Sequence, residues 1–169
     1  MGLPVHHRPM RRVEREITDP AELEKMLNEV RLLFLAFNDH PAPYVVPVCF
    51  AHAEGTLYVH SARAGTKIEL MKRNANVGFS GSTELQVTAG ASPCEYSARG
   101  QSVAGTGSAR MVEDEAERTR GMDLIMRHYA GAIAAEDIVY RPGSFSRTAI
   151  IAITIASLRG KRVGQTEAF

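Results

Sequence analysis

Residues 57–81 read LYVHSARAGTKIELMKRNANVGFSG, and the order of patterns inside this stretch decides the fold. Thr56 to Ser61 is an apolar, β-rich run with His60 near its end. Small residues then carry Arg63 and Gly65 through a turn. Thr66-Lys67-Ile68-Glu69 matches a capping box with Thr66 as N-cap, and Ile68 with Met71 gives the following helix one apolar side. Asn76 to Ser80 is strand-like again. The order is strand, turn, short helix, strand, and the flanking sequence says what kind of sheet it belongs to.

Upstream, Ala53-Glu54-Gly55 is a tight turn from a preceding strand. That strand, Tyr44 to Phe50 (YVVPVCF), follows Arg31 to Phe37 (RLLFLAF) across the turn residues Asn38-Asp39-His40-Pro41, which predicts a hairpin. Pro47 cannot donate to a sheet ladder, so it calls for an edge or a bulge. Before the hairpin, Asp19-Pro20-Ala21-Glu22 places an N-cap, a first-turn proline and a capping glutamate, opening a helix through about Asn28. Downstream of Ser80 comes a Gly-, Ser- and Thr-rich region without a definite assignment. Gln101 to Val112 is the next strand, bent or bulged at Gly100, Gly105 and Gly107. Asp114 and Glu117 open a helix through Tyr129, and Thr148 to Ser157 (TAIIAITIAS) is the last strand. Sequential, mostly antiparallel strands with one short inserted helix predict an α+β, mainly β fold: a six-stranded antiparallel barrel with a few peripheral helices. Residues 16–160 form its single domain, between a basic N-terminal arm at 1–15 and a C-terminal tail at 161–169.

The composition fits one such domain and narrows the function classes. The chain has 169 residues, 44% apolar and 23% charged, with a formal net charge of +1, so neither disorder nor bulk nucleic-acid binding is indicated. Arg8, Arg11, Arg12 and Arg15 cluster in the arm and read as a solvated segment. Cys49 and Cys94 have no neighbouring Cys or His at metal spacing, so reduced thiols and no zinc site are expected. No apolar run approaches the roughly 20 residues of a membrane span, and no signal-peptide core is present, which points to the cytoplasm.

The turn at 60–67 has two compatible readings. Thr66 and Glu69 cap a helix. The same helix N-terminus also presents unpaired N–H groups and a partial positive charge suited to a phosphate. Lys67 adds a full positive charge where an acidic residue would suit the helix alone. Neither a Walker loop nor a G-x-G-x-x-G turn occurs. His60 has no carboxylate beside it in sequence, so a nucleophile triad is poorly supported.

With these residues in view, VHSARAGTKIELMKRNANVGFS resembles the phosphate-binding segment of FMN-binding split barrels related to pyridoxamine 5'-phosphate oxidase, in particular the Nim-type nitroimidazole-resistance branch. MRRVEREITDP at 10–20, PYVVPVCFAHAEGTLYVHSA at 43–62 and QSVAGTGSARMVEDEAER at 101–118 extend the resemblance over most of residues 10–130. The resemblance implies a split barrel and an obligate homodimer with FMN between the subunits. It assigns the FMN phosphate to Lys67, with Ser61 and the backbone at Thr66. Val46, Pro47 and Val48 would line the flavin ring by backbone and side chain, Gln101 and Ser102 would approach from the other side of the split barrel, and His60 would be the active-site histidine. Many relatives carry a charged residue where this chain has Thr66. Gly105 and Thr106 stand where relatives often carry large apolar residues, which predicts a more open pocket. The Trp-containing, Arg-rich C-terminal segment of the vitamin B6 oxidases is absent, since the chain has no Trp.

The implied activity is that of an FMN-dependent oxidoreductase reducing small acceptors such as nitroaromatics with electrons from NADH or NADPH. His60 would position the acceptor or supply a proton. The alternatives are a flavin carrier or sensor without turnover, and a split barrel holding haem or a deazaflavin, with His60 as an axial ligand to the haem.

Overall fold

The computed structural model describes residues 9–131 and 138–164. Arg8 and the rest of residues 1–8 of the basic arm, and residues 165–169 of the tail, lie outside the described residues. The strands are β1 (Glu16–Ile17), β2 (Leu33–Phe37), β3 (Tyr44–Val48), β4 (Phe50–Ala53), β5 (Thr56–Ala62), β6 (Asn76–Ser82), β7 (Gln86–Thr88), β8 (Ser97–Met111) and β9 (Thr148–Val163). The helices are α1 (Pro20–Glu29), α2 (Thr66–Arg73), α3 (Glu115–Ala130) and α4 (Pro142–Phe145).

All pairings are antiparallel, in the order β3-β2-β6-β8-β9-β5-β4, with β1 added to β9 and β7 to β8. The two ends of this order are continuous in sequence. β3 and β4 are halves of one strand broken at Cys49, the first half paired with β2 and the second with β5. The sheet therefore closes on itself as the expected six-stranded barrel, with a split where β3 leaves β5.

Period-two burial fills the barrel. Leu33, Leu35 and Phe37 of β2, Leu57 and Val59 of β5, Val77 and Phe79 of β6, and Ile151, Ile153 and Ile155 of β9 all point inward and form one core. Asp19 caps α1 by accepting from Glu22 N at 2.9 Å, and the buried side chains Leu23, Met26 and Leu27 of α1 belong to the barrel core, with Leu23 and Met26 close against Gly160. α3 is capped in the same way by Asp114, which accepts from Glu117 N at 2.7 Å. It covers one outer face of the barrel, over Ala51, Tyr58, Ile150 and Ala152.

Three expectations about the strands change. β9 extends six residues beyond the expected end at Ser157, so residues 161–163, read as tail, pair with β8. The Gly-, Ser- and Thr-rich region holds β7, which forms a two-stranded ribbon with the start of β8. The bulge falls between Thr106 and Gly107, as the glycines suggested, but the extra residue is Ala156 on β9. The glycines are needed because β9 comes so close. A Cβ on Gly105 would lie 2.2 Å from Ser157 O and 2.4 Å from Phe79 Cζ, and one on Gly107 would lie 2.6 Å from Thr154 O. Gly105 itself is buried, whereas the neighbouring Thr106 is exposed and lines a groove with Gly78 and Gly107.

Candidate functional site

The site begins where the barrel splits. Phe50 pairs with Val59, and extending that register by two residues on each strand would set Val48 opposite Ser61. Instead Val48 pairs with Leu33 of β2. A break in pairing, the candidate cleft, lies between β3 and the end of β5, where β3 has an edge with no strand partner among the described residues. Pro47 fits this edge because it lacks the N–H a second ladder would need. The side chains here do not all behave as expected. Val48 is 7% exposed and belongs to the core, and the half-buried Val46 packs against it. Only Pro47 turns its side chain outward. Val46 and Val48 can therefore offer the cleft their backbone groups, not their side chains.

Across the cleft stands the turn into α2. Ser61 points inward and is 7% exposed, and its Oγ accepts a hydrogen bond from Lys67 Nζ at 3.1 Å. Thr66 is not the N-cap. Gly65 takes that position with φ 117° and ψ 173°, a conformation that strains any residue with a side chain. Thr66 becomes the first helical residue and forms no capping box with Glu69. No side chain caps the helix, so its first N–H groups remain available to an anion beside Lys67.

His60 is the neighbour of Ser61 on β5 and faces the opposite side of the strand, toward solvent. Partial desolvation at the rim, and then the charge of Lys67, hold its pKa below the ordinary histidine value, which leaves the imidazole neutral at pH 7. Arg63 is occupied elsewhere, donating from Nε to Ser146 O at 2.8 Å.

The structure does not bring Gln101 and Ser102 to this cleft within one chain. His60 pairs with Ile150 and Gln101 with Arg162, twelve residues apart on β9, up to about 40 Å at 3.3 Å per residue. Gln101 lines a separate groove of about 540 Å³ with Thr83, Gln86, Arg99 and Arg162. Thr83 fixes the Gln101 backbone, its Oγ1 accepting from Gln101 N at 3.0 Å and its N donating to Gln101 O at 2.9 Å. The amide orientation that satisfies its neighbours puts the Gln101 side-chain oxygen 3.2 Å from Arg162 Nη2 and 3.1 Å from Nε. Arg162 also pairs with Glu22 of α1. The sequence marks Glu22 only as a helix-capping residue and leaves Arg162 in the tail, because their meeting depends on a contact 140 residues apart in the chain. Among the described residues no group of three or more His, Cys, Asp and Glu could hold a metal, and no helix is long and apolar enough to cross a membrane.

A family model described as pyridoxamine 5'-phosphate oxidase matches residues 19–162. The chain belongs to the pyridoxamine 5'-phosphate oxidase family. Among solved structures of that architecture, it is 26% identical to a candidate 5-nitroimidazole antibiotic resistance protein from Bacteroides thetaiotaomicron, over 95% of this chain and 100% of that one, at a TM-score of 0.73. It shares its fold with an FAD- and haem-binding protein from Mycobacterium smegmatis (19% identity, 89% and 74% covered, TM-score 0.77). A further match is an FAD-binding protein from Mesorhizobium loti (22% identity, 89% and 98% covered, TM-score 0.62). No curated protein matches the chain.

Proposed function

We propose that the protein is an FMN-dependent reductase whose flavin sits in the cleft between β3 and β5, sandwiched between two copies of the chain. The observation that carries this reading is the switch in pairing at Cys49. It leaves an unpaired strand edge on β3 at the split, and the turn that follows β5 carries an uncapped helix N-terminus with a Lys67–Ser61 pair. A phosphate-bearing, planar, hydrogen-bonding ligand suits those groups. FMN supplies two-electron chemistry at its ring when bound.

The chain's residues have separable tasks in this reading. Lys67, Ser61 and the N–H groups at the start of α2 hold the phosphate. The free edge of β3 offers N–H and C=O groups to the polar rim of the ring, with Pro47 against its face. Neutral His60 can accept a hydrogen bond or a proton at the solvent side, where a small acceptor such as a nitroaromatic would approach.

The outer face of β2, β3, β6 and β8 favours a second copy. Its registered rows are Pro47, Phe34, Ser80, Ala104 and Val45, Ala36, Gly78, Thr106, small residues beside Phe34 and Val45, which are 46% and 55% exposed. Such a face can pack closely against its like. The second copy would also bring Gln101 and Ser102 toward a cleft they do not reach in their own chain. Electrons would come from NADH or NADPH, consistent with a cytoplasmic location.

Titration of the purified protein with FMN, followed by NADH or NADPH and then a nitroaromatic, tests the proposal. Bound flavin that is reduced and then reoxidised supports the reductase. Flavin that binds without turnover identifies a carrier or sensor, a haem spectrum redirects the assignment to His60 as axial ligand, and failure to bind any of these groups rejects the reading.

A further inference from the structure

We propose that Arg162, held by Glu22, is a positioning residue that turns the Gln101 amide so that its NH2 group, not its oxygen, faces the 540 Å³ groove. This rests on the proposed function in one respect, the identity of the ligand that meets the groove. The Gln101 backbone is already fixed by Thr83 on both its N–H and its C=O, so the remaining freedom lies in the side chain. A guanidinium has only donors to offer. Its two nitrogens, 3.2 and 3.1 Å from the amide oxygen, hold that oxygen on their side and send the NH2 the other way. Glu22 reaches Arg162 from α1, which is seated in the barrel by Leu23, Met26 and Leu27. The orientation is thus tied to the core through one helix.

The consequence is a preference. A free glutamine can present either a donor or an acceptor to a ligand, but this one presents two donors. The groove therefore selects a ligand edge made of acceptors, such as the carbonyl-bearing edge of a flavin held by the other copy. Rotation of Gln101 would set its oxygen against that edge and repel it. Arg162 lines the same groove, but the role assigned to it and to Glu22 is exerted through Gln101.

Two readouts on the full-length protein separate this proposal from the flavin reading. The first is the side-chain NH2 signal of Gln101 in 15N NMR without FMN, identified by its loss in Gln101→Leu. In the wild type the two protons should be well separated, and Arg162→Met should collapse them toward free-glutamine values. Arg162→Lys, which keeps the ion pair with Glu22 but loses the fork, should do the same in a protein of unchanged thermal stability. An NH2 signal unmoved in both variants overturns the proposal whatever the flavin result. The second readout is FMN affinity. Arg162→Lys and Gln101→Leu should each weaken it about fivefold, the size of one net hydrogen bond, and the double variant should be no weaker than Gln101→Leu alone. Additive losses also overturn the proposal. If the NMR result holds while the wild type binds no FMN, the orientation stands and the flavin reading fails.

Discussion

Replacing Lys67 by Ala should separate two flavins that differ only in their phosphate. Lys67 Nζ lies 3.1 Å from Ser61 Oγ at the start of an uncapped helix, so a bound phosphate would take a charge-assisted hydrogen bond from the lysine. Hydrogen bonds to charged groups contribute roughly 1.5–3 kcal/mol, and each 1.4 kcal/mol is about tenfold in affinity. The substitution should therefore weaken FMN between about tenfold and about 150-fold. Riboflavin has the same ring and no phosphate, so its affinity should change less than about twofold. Quenching of flavin fluorescence measures both constants directly. Raising the salt concentration should weaken FMN binding to the wild type more than to the variant, because the interaction removed is electrostatic. Equal losses for FMN and riboflavin would show that Lys67 shapes the cleft and does not hold a phosphate, and the placement of the ligand would have to be abandoned.

Gly105→Ala should destabilise the fold by at least about 1–3 kcal/mol, because its Cβ would meet Ser157 O and Phe79; a thermal melt should fall by about 2–4 °C for each kcal/mol. Tyr129→Phe removes a hydroxyl that donates to Arg31 O at 2.7 Å and accepts from Phe50 N at 3.1 Å, and should cost about 1–3 kcal/mol in denaturant unfolding while leaving the spectrum of bound flavin unchanged. Burial lowers the pKa of His52, whose two ring nitrogens are buried without a hydrogen-bond partner among the described residues, and also that of His60 and His128. The folded chain then binds fewer protons than the unfolded one below the ordinary value near 6.5, so stability is full above that pH and lost as pH falls toward the lowered values. Denaturant melts at pH 7.5 and 5.5 should show this loss, and His52→Leu should reduce it.

Much of this architecture could be read from local signals. Asp19-Pro20 and Asp114 fixed the starts of α1 and α3 because capping is decided within four residues. Pro47 announced an edge because proline lacks a donor. Thr66 misled because its side chain suited a cap, while the chain's direction at that point required the φ of Gly65. The inward turn of Val46 and Val48, the closure through Cys49 and the separation of Gln101 from His60 depend on register between distant strands, to which a local pattern is blind. The Arg162–Glu22 pair is the extreme case, since one partner had been assigned to a tail and the other only to a helix cap.

The most direct test is complementation between two damaged chains. Lys67→Ala and Gln101→Leu subunits, co-expressed with different tags and purified as the mixed dimer, would contain one cleft with both residues intact and one with both replaced. If the cofactor lies between copies, the mixed dimer should bind one FMN per dimer with wild-type affinity, whereas each homodimer of damaged chains binds weakly at both sites. A mixed dimer with no site of wild-type affinity would contradict the composite cleft.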